Sequence, residues 1–139
     1  MNIDSLQNGI VIDHIEAGNG MLIYQQLGLD KHTCQVALIR NALSHKMPKK
    51  DIIKIDGDIE INPAVLGYID PGVTVNVIRN GVIVEKIQPE LPEKLTGVLL
   101  CKNPRCITTT EQELPHIFKL TDKQKRTYRC IWCEAQADK

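Results

Sequence analysis

The chain has 139 residues, of which 42% are hydrophobic and 24% charged, and its 17 basic and 17 acidic side chains give a formal net charge of zero. That balance is ordinary for a soluble globular protein and favours neither a disordered nor a membrane class, while the length admits one ordinary domain or two small ones. No run of 18 or more apolar residues occurs, and the N-terminus MNIDSLQNG lacks the basic start and apolar stretch of a secretory signal, so no membrane partner and a cytoplasmic location are expected.

In chain order, short β-branched runs alternate with helical ones. GIVIDHI at 9–15 reads as a strand. GNGMLIYQQLGL follows, apolar at Leu22, Ile23 and Leu27 and closed by Gly28, which predicts a short amphipathic helix with a glycine cap. CQVALIR at 34–40 and DIIKID at 51–56 are strand candidates. In INPAVLGYIDPG, Asn62 suits the N-cap and Pro63 the first helical position, and Pro71 and Gly72 stop the helix. VTVNVIR at 73–79 and GVIVEKI at 81–87 are two more strands, joined at Asn80 and Gly81 by the dipeptide favoured in two-residue hairpin turns.

The order βαββαβ with one further strand predicts an α+β fold, a ferredoxin-like sandwich with both helices on one face of an antiparallel sheet. Pro89 and Pro92 then break the pattern, and 88–94 reads as a connector between a domain at 1–90 and a second at 95–139. The charge shifts at the same joint. Residues 1–94 hold 9 Lys and Arg against 12 Asp and Glu, whereas 95–139 hold 8 against 5.

The second unit contains Cys101-x4-Cys106 and, 23 residues on, Cys130-x2-Cys133. Two close pairs of thiols separated by a loop are what a tetrahedral metal site needs, and four sulfurs favour one structural Zn2+ per chain. In a reducing compartment a metal is favoured over disulfides, and a redox role for Cys130 and Cys133 lacks the βαβ setting of such motifs. A domain of this size has little core, here Leu99, Ile117, Phe118, Leu120 and Trp132, so a metal staple answers a stability problem. Short strands such as GVLLC and TYRC are expected around it, giving a small all-β zinc-ribbon-like domain. With four protein ligands no position is open for metal catalysis. Four thiolates and one Zn2+ also lower the unit's charge from +3 to about +1, which weighs against a nucleic-acid partner. Cys34 reads as a buried small hydrophobe.

Strand alternation places Ile53 and Ile55 on one face of their strand and Lys50, Ile52 and Lys54 on the other. Val73, Val75 and Val77 likewise oppose Asn76 and Ile78, and Lys86 falls in the strand beside them. That second face is either solvated or binds a ligand through lysines, an amide and aliphatic side chains. Asp13 and His14 form an adjacent pair that resembles a catalytic one. Adjacent strand residues point to opposite faces, however, and no nucleophile completes a set, so no catalytic residue is expected.

With VIDHI, KKDIIKID, VTVNVIRNG, LPEKL and the four spaced cysteines in order, the chain resembles the regulatory chain of aspartate carbamoyltransferase nearly end to end. The resemblance implies a noncatalytic allosteric subunit in pyrimidine biosynthesis. Its N-terminal domain would bind nucleoside triphosphates, CTP as inhibitor and ATP as activator, and pair as a homodimer; its zinc domain would hold the catalytic chain. Carried over by motif, the nucleotide site comprises Asp13, His14, Lys50, Lys54, Asn76, Ile78 and Lys86. The segment Ile3 to Leu6, with Asp4, would close over the base. Gly81 departs from the pattern, standing where the family carries a bulky aromatic. A freestanding zinc-ribbon nucleic-acid adaptor is the alternative reading.

Overall fold

A computed structural model describes residues 6–45 and 48–137 and divides the chain into two compact units, Met1–Glu90 and Leu91–Lys139. Among the described residues no helix is long and apolar enough to cross a membrane.

The first unit runs β1 (Gly9–Glu16), α1 (Gly20–Gln26), a single 3-10 turn (Leu29–Lys31), β2 (Gln35–Leu43), β3 (Lys49–Asp56), α2 (Pro63–Ile69), β4 (Thr74–Arg79) and β5 (Val82–Ile87). The strands form one antiparallel sheet in the order β2-β3-β1-β4-β5. This is the ferredoxin-like arrangement with the extra strand at the edge beside β4. Ile10, Ile12, Ile53, Ile55 and Val75 from one face of the sheet close on Ile23 of α1, Leu29 of the 3-10 turn, Leu66 of α2 and Val73, just before β4, to make the core.

Local chemistry fixes the element ends. The Asn62 side chain accepts a hydrogen bond from the Ala64 N–H at 3.0 Å, with Pro63 opening α2. Asn80 and Gly81 both take positive φ, 53° and 77°, which is the geometry of a two-residue hairpin turn whose twist matches the flanking strands. Gly28 follows α1 at φ 63°. One expectation for α1 fails: Leu22 is 43% exposed, while Ile23 is fully buried and Leu27 packs on the core. Residues 23 and 27 lie one turn apart on one face, and position 22 is turned about 100° away from it. Cys34 is half-buried at the core margin, packed where Gly57 leaves room for it.

The second unit has a three-stranded antiparallel sheet, β6 (Lys94–Thr96), β7 (Ile117–Asp122) and β8 (Thr127–Cys130), in that order, and a one-turn helix α3 (Ile107–Thr110). TYRC is a strand as expected, but GVLLC is not. The strand precedes it at Lys94–Thr96, and Gly97 at φ 73° turns the chain out of the sheet. The core also differs from expectation. Leu95, Phe118 and Tyr128 are buried with Cys101, Cys106 and Cys130, whereas Trp132 is 43% exposed. Alternation along β8 turns Tyr128 and Cys130 inward together, and the Tyr128 hydroxyl donates to the Pro92 carbonyl. Trp132 lies past the strand end, its indole N–H donating to the Pro115 carbonyl at 3.0 Å.

Candidate functional site

Two sites are built on these units. In the second, the four cysteine sulfurs converge to within 4.8 Å of one another. Cys101 and Cys133 Sγ are 3.6 Å apart, and Cys106 and Cys130 Sγ 3.7 Å. A tetrahedron with metal–sulfur bonds of about 2.3 Å has edges of about 3.8 Å, so the donor set fits one tetrahedral ion. Close contacts link the two turns, and all four sulfurs lie near one another rather than Cys130 and Cys133 alone, which is the geometry of a shared centre.

The surroundings are arranged for thiolates. Backbone N–H groups of Asn103, Thr108, Trp132 and Cys133 donate to the sulfurs of Cys101, Cys106 and Cys130. The buried Thr108 hydroxyl donates to Cys106 Sγ at 3.0 Å and, as the main cause, lowers that thiol to about 7. Burial pushes Cys101 up to about 12 and also raises Cys130. A metal must displace those protons, so loading favours higher pH. His116 holds the first turn in place: its Nδ1 accepts from the Cys101 N–H at 2.9 Å, and its carbonyl accepts from Gly97.

The second site is the sheet face of the first unit away from the helices. Cross-strand pairing puts Ala37, Lys54, Val11, Asn76 and Lys86 in one row across all five strands. Partners in register share a face, so Lys54, Asn76 and Lys86 stand together although 32 positions of sequence separate the lysines. Beside this row is a depression of about 270 Å3 lined by Leu6, Val11, Asp13, Ile52, Lys54, Asn76, Ile78 and Ile83. The Asn76 Oδ1 is buried and has no hydrogen-bond partner among the described residues. Aliphatic walls, a row of ammonium groups and an unsatisfied amide oxygen suit an anionic ligand with a flat, polar-edged part.

A buried carboxylate shapes one end of this face. Asp51 is fully buried, and its oxygens accept from the N–H groups of Gly18, Gly20 and Asn41, each at 3.0 Å. Both neighbouring strands bulge there: pairing with β3 slips between Ile12 and Ile15 of β1 and between Ile39 and Ala42 of β2. The β1 bulge spans Asp13 and His14, with His14 at φ 58°. Ile12 and Ile15 both turn into the core, so Asp13 and His14 both lie off it. Simple alternation therefore fails here as a reason to separate these two residues.

The bulge nevertheless gives them different surroundings. Asp13 lines the depression and pairs with Lys50 at 2.9 Å, while its carboxylate accepts the His14 N–H at 2.6 Å. His14 lines a separate hollow of about 640 Å3 with Glu16, Asp70 and Thr74, and its Nδ1 is buried without a partner among the described residues. Ile3 and Asp4 lie outside the described residues. Sequence reasoning placed Ile52 on this face with Lys54 but missed Val11 and Ile83 as lining residues, although Val11 stands two positions from Asp13.

Burial raises the Asp13 carboxyl, but the hydrogen bond and charge of Lys50 and the His14 N–H outweigh it and hold the pKa below its ordinary value. A carboxylate depressed in the fold stabilises above its unfolded pKa of about 3.9, and the contribution is lost as pH falls through the lower folded value. Thermal melts of wild type and Asp13→Asn should therefore differ by a constant amount above about pH 4, on the order of 1 kcal/mol or less for so accessible a pair, and converge below it. A constant difference down to pH 2 would count against the pairing.

Comparison with known proteins matches two family models, the aspartate carbamoyltransferase regulatory chain allosteric domain at residues 1–90 and the metal-binding domain of the same chain at 93–139. The chain is 52% identical over 134 residues to the aspartate carbamoyltransferase regulatory chain of Clostridium botulinum, covering 96% of this chain and 92% of that one. Identity is 47% to that of Clostridium acetobutylicum over the same shares. It is 44% to that of Bifidobacterium longum over 137 residues, 99% of each chain. The chain thus belongs to the aspartate carbamoyltransferase regulatory chain family, a noncatalytic family with an allosteric and a metal-binding domain.

Proposed function

We propose that the first unit is the effector sensor of aspartate carbamoyltransferase, binding CTP as inhibitor and ATP as activator on its open sheet face. The second unit holds one structural Zn2+ and, through it, the catalytic chain, and two copies pair through their first units. The observation that carries the nucleotide reading is the row Lys54, Val11, Asn76, Lys86 beside the lined depression. Two ammonium groups on one row suit a triphosphate, whose charge exceeds what either neutralises alone, and the apolar lining suits a base. Four converging thiols with no oxygen or nitrogen donor among them favour zinc over harder ions. With four protein ligands the ion has no open position, so its work is structural.

Calorimetric titration with each nucleotide tests the sensor. Charged hydrogen bonds contribute roughly 1.5–3 kcal/mol, so Lys54→Ala and Lys86→Ala should each weaken CTP and ATP alike by about ten- to a hundredfold. Asn76→Ala should change the ratio of the two affinities, because its amide oxygen lies where a base or sugar edge would meet it. Wild-type affinity in both lysine variants would mean that this face is merely solvated.

A further inference from the structure

The outward face of the second unit's sheet carries a row of like charges. Lys94 pairs with Lys119 and Lys119 with Arg129, so three cations stand directly opposite one another across β6, β7 and β8, and all are exposed. The adjoining row, Leu95, Phe118 and Cys130, is buried on the other face. Thr96 and Ile117, the next outward pair on one side, are neutral; on the other side Asp122 pairs with Thr127, and its carboxylate accepts from the Gln124 and Lys125 N–H groups at 3.1 Å. Arg129 donates to the Glu134 carbonyl at 3.1 Å, which fixes its guanidinium without neutralising it. Neither lysine has a carboxylate partner among the described residues. Like charges directly opposite destabilise a sheet, so the row carries a local cost, and none of its three cations has an ion-pair partner among the described residues.

We propose that the row Lys94, Lys119, Arg129 is a docking strip for an acidic helical face of the catalytic chain, an inference that rests on the partner proposed above. Strands lie about 4.8 Å apart and successive turns of a helix about 5.4 Å, so carboxylates one turn apart on a helix laid across the strands meet successive cations. A protein is favoured over a nucleic acid by two features. Ile117 and Ile131 adjoin in the ladder next to the row, with Ile131 43% exposed, and apolar side chains of this kind are covered by a protein surface rather than by phosphates. The metal-loaded unit is also close to neutral, with nine basic and six acidic side chains in 91–139 before four thiolates and a divalent ion are added.

The test measures assembly of the full chain with purified catalytic chain of the same organism by sedimentation at several salt concentrations. Removing the lysine charges should relieve the repulsion, so Lys94→Gln/Lys119→Gln should melt at or above the wild-type temperature and yet assemble about threefold or more weakly at low salt. Lys94→Glu/Lys119→Glu should lose at least about tenfold, with the loss shrinking as salt screens the contact. Zinc content and nucleotide binding should remain at wild-type levels in both. Reversing a facing carboxylate on the catalytic chain to lysine should restore assembly with the Glu variant. Equal assembly of both variants and wild type would overturn the strip and leave the regulatory reading intact; failure of wild type to assemble would overturn both. A double-stranded DNA probe that binds wild type and not the Glu variant, with assembly unchanged, would assign the row to nucleic acid and also overturn the proposal.

Discussion

Asp51→Ala is expected to unfold the first unit. The carboxyl group is fully buried and, among the described residues, has no ion-pair partner; its oxygens accept from three backbone N–H groups, those of Gly18 and Gly20 entering α1 and of Asn41 in the β2 bulge. Alanine leaves all three donors without their acceptor. A buried unsatisfied donor costs about 1–3 kcal/mol, so the sum is of the same order as the whole stability of a small domain, about 5–15 kcal/mol. The loss is also geometric, because the β2 bulge and the start of α1 meet on this one side chain. Space there is already taken: a Cβ on Gly20 would stand 2.7 Å from the Asp51 Oδ2. Asp51→Asn keeps one acceptor oxygen but turns an NH2 toward an N–H, and an intermediate loss should result. Urea denaturation followed by circular dichroism measures both, and a midpoint near that of wild type for Asp51→Ala would refute the anchoring role.

Replacing any of Cys101, Cys106, Cys130 or Cys133 by serine is expected to release the metal and unfold the second unit. Its core is small, with Leu95, Phe118 and Tyr128 the large side chains fully buried there, and three of the four cysteines are themselves buried around the centre. Structural zinc supplies apparent folding free energies of roughly 10–16 kcal/mol in domains of this kind, more than such a core can replace. Binding to the catalytic chain should disappear together with the metal. The first unit has a separate core and should still melt cooperatively and bind nucleotide. Elemental analysis reads the metal and far-UV melting the fold; a serine variant that retains stoichiometric zinc would contradict the four-ligand site, as would a metal-free wild-type protein.

The sequence by itself determined the local chemistry. Alternation marked the five strands of the first unit and separated Ile53 and Ile55 from Lys54, because side chains of a strand alternate whatever the strand pairs with. Asn62 with Pro63 and Asn80 with Gly81 act within two or three residues, so the helix start and the hairpin turn were legible without tertiary information. Cysteine spacing announced a metal site for a similar reason, since each pair lies in one turn.

Only the tertiary structure decided which residues meet across strands. Lys54 and Lys86 share a row because β1 and β4 lie between their strands, and that follows from strand order, which periodicity does not encode. The same holds for Lys94, Lys119 and Arg129, whose repulsion is invisible until β7 is set between its neighbours. In VIDHI the apolar residues Ile12 and Ile15 stand three apart, a break in the alternation that marks the bulge, but the partner strand it is measured against, with Asp51 opposite Ile15, lies nearly 40 residues away. The bulge turns Asp13 toward Lys50 and leaves His14 in a different hollow. Side-chain periodicity is a property of one strand, whereas a binding face is a property of several, and long-range pairing with buried hydrogen bonds fixes their register.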